Sequence, residues 1–473
     1  MRFLRNIMTS LFHTGPAAAV GRGASFSDDE WNHIGRSKAE SVCAALESII
    51  DRGEDVDDDF SDDERTEEFA DAVLEEIVAL NEVGDWQQAR VRYDPAHQPF
   101  VSHMGDVGLH AVVILAPESF LVRCGNEVLH IDGDQATPIV GAFMFSISRN
   151  RRWFAMATDK GLAISAGFDT TSPQVIPWPE DIVVDPATVR SLEIADDGCS
   201  IVLASDEFGI WFIRDGAWTL LAPRRDADDG DEEDDGSEEI TGDGVHNVGT
   251  EDCPVYFGSF AEMKAKFGGP LGIDASHVAL SPDGRHVAYG WQDAWPGHYV
   301  DRVTETTIEP VGRIVARSDY PYYIRFTDDS GKVLSNSRYG SSGVTVCCNL
   351  DALPDQEEPA VCDDYLRAYG MTQLPGSNFG LNEAVAMIGG AGWLHAAPLS
   401  GGKPVFTHLL GSALRGFDFD PVSGRVAVAS ASGVLHVLDP FTEAEPGRER
   451  GYHPRRELFR WIFWETLSKP IRW

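Results

Sequence analysis

The sequence lacks any apolar run that approaches the roughly 18 residues of a membrane-spanning helix, so no such helix is expected. It also lacks the motifs G-x-S-x-G, G-x-x-x-x-G-K-[ST], G-x-G-x-x-G and H-E-x-x-H, which mark serine hydrolases, P-loop proteins, dinucleotide-binding domains and zinc proteases. These absences favour a non-catalytic protein that needs no cofactor. An enzyme whose site is assembled from scattered positions, which would leave no motif, stays an alternative.

Cysteine is sparse and its pattern is not that of a disulfide framework. The number of cysteines is odd, no C-x-x-C occurs, and most lie in apolar segments. Buried free thiols in a reducing compartment are therefore expected, which favours a cytoplasmic protein. The seven residues are Cys43, Cys124, Cys199, Cys253, Cys347, Cys348 and Cys362.

Lysine is scarce, with 7 residues against 31 arginines, and acids outnumber bases so far that the net charge is −38. The excess is concentrated in two segments, since residues 28–85 carry a net −17 and residues 224–252 a net −11. Such a charge repels phosphates, so nucleic acid is not expected as a partner. It attracts basic proteins instead. The sequence holds no signal for the oligomeric state.

The first 26 residues form a tail that contains three arginines and no acid. Its apolar stretch, Ile7–Phe12, is short and interrupted by polar residues, whereas a secretory signal needs a longer continuous apolar region. A mitochondrial transit peptide fits the composition better, and a disordered tail fits it best.

Residues 27–88 show the pattern of an acidic α-helical hairpin. Capping boxes at Ser27–Glu30 and Ser61–Glu64 each precede apolar residues at helical spacing, which predicts helices over 27–50 and 61–82. The acidic connection between them invites an EF-hand interpretation. A calcium loop that starts at Asp55 would, however, place Phe60 where glycine is required and Thr66 where a bidentate glutamate is required. A solvated acidic loop is therefore favoured, and no metal is expected.

From about residue 109 the pattern changes to short apolar strands separated by polar turns. The turns begin at Ser148, Ala195, Ser281, Thr327 and Asp420, at spacings of 47, 86, 46 and 93 residues. Two weaker units, at 112–131 and 384–397, complete a set of seven at the period of propeller blades. The sequence thus predicts an all-β fold, a seven-bladed β-propeller over 89–445 that is preceded by the helical hairpin and carries an acidic disordered insert at about 224–252.

The unit Ser281-Pro-Asp-Gly-Arg285, flanked by Val278-Ala-Leu and Val287-Ala-Tyr, resembles the repeats of WD40-type and TolB-like β-propeller proteins. The other units match more loosely, and the Trp-Asp dipeptide of WD40 repeats is missing. The resemblance extends over about 70% of the chain. It implies the fold and leaves the function open, because propellers host many functions.

The propeller model places the acidic insert and the loop 291–298 on one face. Tryptophans in that loop would be anchors for a basic partner, and the acids would steer its approach. The alternative is a solvated insert beside tryptophans that pack on their own neighbours. The predicted protein-binding residues are Trp291, Trp295, His298, Asp228, Asp229, Asp231, Glu232, Glu233, Asp234 and Asp235. The sequence therefore favours a non-catalytic scaffold or binding protein for a basic protein, with a ligand-binding propeller or propeller enzyme as the alternative.

Residues 446–473 form a basic, aromatic tail. It could lie on a membrane surface as part of a peripheral adaptor, but docking on the same molecule is favoured because an acidic protein is repelled by anionic lipid. The chain after Pro440 shows no good outer strand, so a strand near Ala89–Tyr93 is predicted to close the propeller. His395 and His436 lie in apolar segments and are interpreted as hydrogen-bonded core residues.

Overall fold

The computed structural model describes most of the chain. Four sequence predictions lie outside the described residues: the N-terminal tail, the EF-hand-like loop, the acidic insert and the tryptophan pair Trp291 and Trp295. The described residues are 27–54, 63–105, 108–168, 170, 172–180, 182–222, 277–290, 297–305, 307–314, 321–339, 342–353, 360–362 and 366–473.

Three α-helices open the described chain: α1 (Asp28–Arg52), α2 (Glu67–Glu82) and α3 (Trp86–Arg92). The Ser27 hydroxyl accepts a hydrogen bond from the amide of Glu30, as the first capping box predicts, and α1 ends at Gly53 in the left-handed region. The start of α2 differs from the prediction. Thr66, whose side chain accepts from the amide of Phe69, caps it several residues after the predicted box. A 3-10 helix, Gln98–His103, follows α3.

The remainder is mostly β structure. The first sheet consists of β1 (Leu109–Ala116), β2 (Ser119–Cys124), β3 (Glu127–Asp132) and β4 (Gln135–Pro138). The second consists of β5 (Ala142–Ile147), β6 (Trp153–Thr158), β7 (Gly161–Ala166) and β8 (Gln174–Ile176). The third consists of β9 (Val189–Ile194), β10 (Ser200–Ser205), β11 (Gly209–Arg214) and β12 (Ala217–Ala222).

Two more four-stranded sheets and one eight-stranded sheet follow. The fourth sheet consists of β13 (His277–Leu280), β14 (His286–Gly290), β15 (His298–Val303) and β16 (Ile308–Ile314). The fifth consists of β17 (Pro321–Phe326), β18 (Lys332–Tyr339), β19 (Ser342–Asn349) and β20 (Ala360–Cys362). The sixth consists of β21 (Gly370–Leu374), β22 (Val385–Gly389), β23 (Ala391–Pro398), β24 (Phe406–Asp420), β25 (Arg425–Ser430), β26 (Val434–Glu443), β27 (Arg455–Ile462) and β28 (Ile471–Arg472).

The long strand β24 connects the two halves of the sixth sheet. Its first half pairs with β23, with Phe406 opposite Ala396, and its second half pairs with β25, with Asp420 opposite Arg425. Every strand pair in which a register is given is antiparallel, so each sheet is built from consecutive hairpins.

The predicted turns repeat one local structure. In three of them a hydroxyl accepts from the amide five residues later and donates to an Asn or Asp side chain two residues later. This arrangement favours a tight reversal between two strands. It occurs at Ser148, Ser281 and Thr327. The strand–turn–strand repeats predicted from the sequence are therefore confirmed as local structure.

The described residues form two compact units, one within 27–125, 129–139 and 361–473, the other within 126–128 and 140–360. In the second unit, apolar side chains of consecutive sheets pack into shared cores, such as Val202 and Phe212 against Val278 and Tyr289. In the first unit, β1 and β2 share a core with β25, β26 and β27.

The predicted strand at Ala89–Tyr93 is wrong. These residues lie in and just after α3, where the short apolar and basic alternation fits a helical turn equally well. The outer strand comes instead from the C-terminal segment, in which β27 pairs with β26. Its Arg and Glu residues made this segment resemble a solvated tail, whereas Glu457 and Arg460 are buried and pair with one another.

The prediction that the C-terminal tail docks on its own chain is confirmed. Trp461, Trp464 and Trp473 are all buried, and the last two belong to a core with Trp31 and Phe69 of the helices. The Asn81 side chain accepts from the amide of Arg472 and donates to its carbonyl. The aromatic residues that a membrane-surface role would use therefore lie inside the molecule. None of the described helices is both long and apolar enough to span a bilayer.

Candidate functional site

His298 is the one sequence-predicted site residue that lies within the described residues. It begins β15, its side chain is buried, and its Nδ1 lies 2.8 Å from Oγ of Ser335. A Cβ atom at Gly290 would lie only 2.5 Å from the His298 ring, so glycine makes room for it. Little of its side chain is accessible in this structure, and its role as a protein-contacting residue stays a prediction. Trp291, Trp295 and the acids of the insert stay predictions.

The interpretation of His436 as a hydrogen-bonded core residue is confirmed. The ring is buried in β26, and its Nδ1 lies 2.7 Å from Oε1 of Glu457, to which it donates. His395 is also buried.

Glu457 is the centre of a buried ionic cluster in the first unit. Besides His436, its carboxylate accepts from Nη2 of Arg460 at 2.7 Å and from Nη1 of Arg90 at 3.3 Å. Nη2 of Arg90 also donates to the backbone carbonyl of Glu457. These cations hold the pKa of Glu457 well below its ordinary value, although burial alone would raise it. The cluster joins α3 to β26 and β27.

Two further carboxylates in this unit are each shared between two arginines. Asp63 pairs with Arg65 at 2.6 Å and with Arg450 at 2.8 Å. Asp94 pairs with Arg36 at 2.7 Å and with Arg448 at 3.4 Å. The two guanidinium groups hold the pKa of Asp63 well below its ordinary value against the opposing effect of burial.

Two cavities border this cluster. The first encloses about 150 Å³ and lies between the segment 95–101, β24 and the segment 448–460. The second encloses about 260 Å³ between α3 and the segment 444–458. The Glu449 side chain lines both cavities. Burial, with the nearby Glu457 carboxylate, raises the pKa of Glu449 to about 7, while Arg90 at 3.7 Å opposes that rise.

His97 forms one wall of the first cavity because Gly411 gives it space. Gly411 has a φ of +99°, and a Cβ atom there would lie 2.2 Å from Cγ of His97. Burial lowers the pKa of His97 to about 3, so its ring is neutral near pH 7. The permanent charge on the wall of this cavity therefore comes from arginine alone, and the charge of Glu449 changes around pH 7.

Acidification is expected to destabilise the fold through His408. Its ring is fully buried in β24, and the amide of Arg455 donates to its Nδ1 at 3.1 Å. Burial lowers the pKa of His408 from 6.5 to about 3. Between these values the unfolded chain binds a proton that the folded chain does not. The contribution of His408 to stability is therefore complete above pH 6.5 and is lost as the pH falls towards 3.

The variant His408→Asn tests this expectation, because the asparagine oxygen can accept the bond from Arg455. In wild type the free energy of unfolding should fall as the pH is lowered from about 6 to about 4.5. In the variant this fall should be smaller, by up to about 1.4 kcal/mol per pH unit. Urea unfolding across that range measures both slopes, with the exposed His33→Asn as the control. Equal slopes in wild type and His408→Asn would show that this ring is protonated in the folded state.

The outer face of α2 carries acidic charge alone. The helix contains six acids and no base, and Glu67, Glu68, Asp71, Glu75 and Glu82 are exposed. Asp71 contacts His103, whereas no base of the described residues forms an ion pair with the other four. Like charges at a spacing of four residues destabilise a helix, and Glu82 opposes the helix dipole at the C-terminal end. Glu67 and Glu68 lie in the first turn and favour the helix dipole, so helix stability accounts for these two acids but not for Glu75 and Glu82.

Sequence reasoning missed the ionic cluster and its cavities. The available signal was the alternation of Arg and Glu at Arg448-Glu449-Arg450 and again at Arg455–Arg460, which is unusual in a solvated tail. Within the described residues, no group of three or more His, Cys, Asp or Glu is placed to hold a metal ion. No family model matches the chain, and no curated protein matches it in sequence.

Proposed function

We propose that the protein is a seven-bladed β-propeller preceded by an acidic helical hairpin. The sheets support this proposal, because divided at β24 they give seven consecutive four-stranded antiparallel groups, the last with β28 added. The apolar cores that consecutive sheets share in the second unit, and that the first and sixth sheets share in the first unit, are what neighbouring blades require. For the hairpin, the support is the contact between Trp31 of α1 and Phe69 of α2, whose ring centroids lie 5.2 Å apart.

The function that we propose is that of a non-catalytic cytoplasmic scaffold that binds a basic protein. The observation that carries it is the acidic outer face of α2, which has no compensating base of its own. A surface of one sign increases the rate of encounter with a partner of the opposite sign. The acidic insert, Trp291 and Trp295 would add to such an interface, and their part in it rests on the sequence alone.

The triple variant Glu67→Gln, Glu68→Gln, Glu75→Gln tests the role of this face. Association with a basic protein captured from source lysate should slow about five- to tenfold, with little change in dissociation, because diffuse charge acts mainly on encounter. Surface plasmon resonance at about 50 and about 500 mM salt measures both rates, and the difference between variant and wild type should shrink at high salt.

The matched control removes the same charge elsewhere. Glu127, Glu180 and Asp215 are exposed and lie outside α2, so Glu127→Gln, Glu180→Gln, Asp215→Asn lowers the net charge equally. If the control slows association as much as the α2 variant, overall charge governs encounter and the proposed face has no specific role.

A second candidate function, binding of a small ligand, is favoured by the cavity beside His97. It does not require the acidic face.

A further inference from the structure

The first cavity is electropositive in a protein whose net charge is −38. Its wall includes three guanidinium groups, those of Arg448, Arg450 and Arg460, and one carboxylate, that of Glu449. Each of these arginines pairs with a carboxylate outside the cavity wall. The three carboxylates are those of Asp94, Asp63 and Glu457. Each of them also forms an ion pair with a second arginine, so its one negative charge is shared between two guanidinium groups.

The cluster as a whole therefore holds more cations than anions. Six guanidinium groups face five carboxylates once Glu449 and the exposed Glu445 are included, so the excess is one positive charge even with every carboxylate ionised. Only Arg36 is half-exposed among these arginines, with 51% of its side chain accessible. Charge that is taken out of water is costly unless an opposite charge compensates it. An anion in the cavity would supply that compensation.

Two of the three arginines can still donate to such an anion. Arg460 cannot, since Nε and Nη2 donate to Glu457 and Nη1 donates to the carbonyl of Ala96. Arg450 uses Nη2 for Asp63, which leaves two edges of the guanidinium group for another acceptor. The Nη1 atom of Arg448 lies 3.7 Å from the exposed carboxylate of Glu445, a loose contact that a ligand can replace.

The rest of the wall is mostly apolar, with Gln98 and the neutral ring of His97 as its polar members. Pro95, Val101, Leu409 and Leu410 contribute the apolar part, and Val101 borders solvent with 46% of its surface exposed. A cavity of about 150 Å³ accommodates a body about the size of benzene. Inorganic phosphate would bring no apolar group to this wall.

We propose that the cavity binds a small organic carboxylate with a compact apolar body. The guanidinium groups of Arg448 and Arg450 hold the carboxylate by charge-assisted hydrogen bonds. The apolar body lies against Leu409, Leu410 and Val101. This site is independent of the acidic face of α2 and takes a ligand of the opposite charge.

Glu449 makes the affinity depend on pH. Arg90 of α3, Glu457 and Arg460 of β27, and Arg448 of its own segment surround its carboxylate. With a pKa of about 7, Glu449 is largely neutral at pH 6 and largely ionised at pH 8. The ionised form repels the ligand, so binding should weaken as the pH rises through 7.

Benzoate, with benzamide as its neutral isostere, probes the site in the full-length protein. Isothermal titration calorimetry at about pH 6 should show benzoate binding at least about tenfold more tightly than benzamide and than inorganic phosphate, because only benzoate has both the charge and the apolar body. Raising the pH to about 8 should weaken benzoate binding several-fold in wild type and leave it unchanged in Glu449→Gln.

Two variants at partly exposed positions test the location. Val101→Trp fills the cavity and should reduce benzoate affinity at least about fivefold, and Arg448→Gln should do the same by removing a donor. Val140→Trp is the control, since Val140 is 95% exposed and does not line the cavity. The proposal is overturned if benzoate does not bind, if benzamide or phosphate binds as tightly, or if Val101→Trp binds benzoate like wild type.

Discussion

Replacing Glu457 with glutamine is expected to lower the free energy of unfolding by about 3–5 kcal/mol. Glu457 is buried and accepts from His436, Arg460 and Arg90. The amide keeps the shape of the side chain but removes its charge, so two buried guanidinium groups lose their shared counterion. Urea unfolding followed by tryptophan fluorescence measures the loss.

The matched control is Glu445→Gln. Glu445 also contacts an arginine, Arg448 at 3.7 Å, but 78% of its side chain is exposed, and a pair of this kind contributes less than about 1 kcal/mol. The combined replacement of Glu457, Arg90 and Arg460 by leucine and methionine should recover part of the lost stability, because the buried carboxylate and its two guanidinium partners are removed together and Glu449, which loses Arg90, can take up a proton. A cost for Glu457→Gln as small as that for Glu445→Gln would contradict the assignment of Glu457 as the centre of the cluster.

Trp473→Ala is expected to cost about 3–5 kcal/mol, because the indole belongs to a packed core with Trp31 and Phe100. Trp473 is only 1% exposed, its Nε1 donates to the carbonyl of Tyr93 at 3.0 Å, and its ring lies 5.4 Å from that of Phe100. Removal of the indole therefore opens a void between the helical segment and the sixth sheet.

Thermal or urea unfolding of a variant pair separates packing from hydrogen bonding at this position. Trp473→Phe keeps most of the apolar volume and should cost about 1–2 kcal/mol, mainly because the carbonyl of Tyr93 loses its donor. Val422→Ala serves as the surface reference, since Val422 is 91% exposed. If Trp473→Ala costs no more than this reference, the C-terminal end contributes nothing to the core.

The strand–turn–strand units were predictable because their signals are local. A hydroxyl at Ser281, Asp283 two residues later and Gly284 in the left-handed region close a tight turn whatever lies around it. The same holds for the cap at Ser27, which acts on an amide three residues away. Local chemistry was ambiguous at Ala89–Tyr93, where five residues satisfy both a strand and a helical turn, and there the sequence prediction was wrong.

The candidate site was not predictable in the same way. Arg90 and Glu457 are 367 positions apart in the chain, and neither has a neighbour in sequence that indicates their pairing. From the sequence alone, an arginine or a glutamate in a basic, aromatic segment is predicted to be exposed. Only the tertiary structure shows which surface covers it. His298 shows the same limit, because the sequence places this histidine beside a predicted loop and only the formation of β15 shows that its ring is buried.

The sequence by itself determined the repeating turns, the first helix cap and the division of charge between acidic attachments and the β region. Each of these depends on composition or on residues within a few positions of one another. Only the tertiary structure decided that β27 rather than Ala89–Tyr93 completes the last sheet, that the C-terminal tryptophans are core residues, and that arginines gather around Glu449. These outcomes depend on contacts between distant parts of the chain. A charged side chain that such contacts bury needs an oppositely charged partner, whereas an exposed one gains little from a partner.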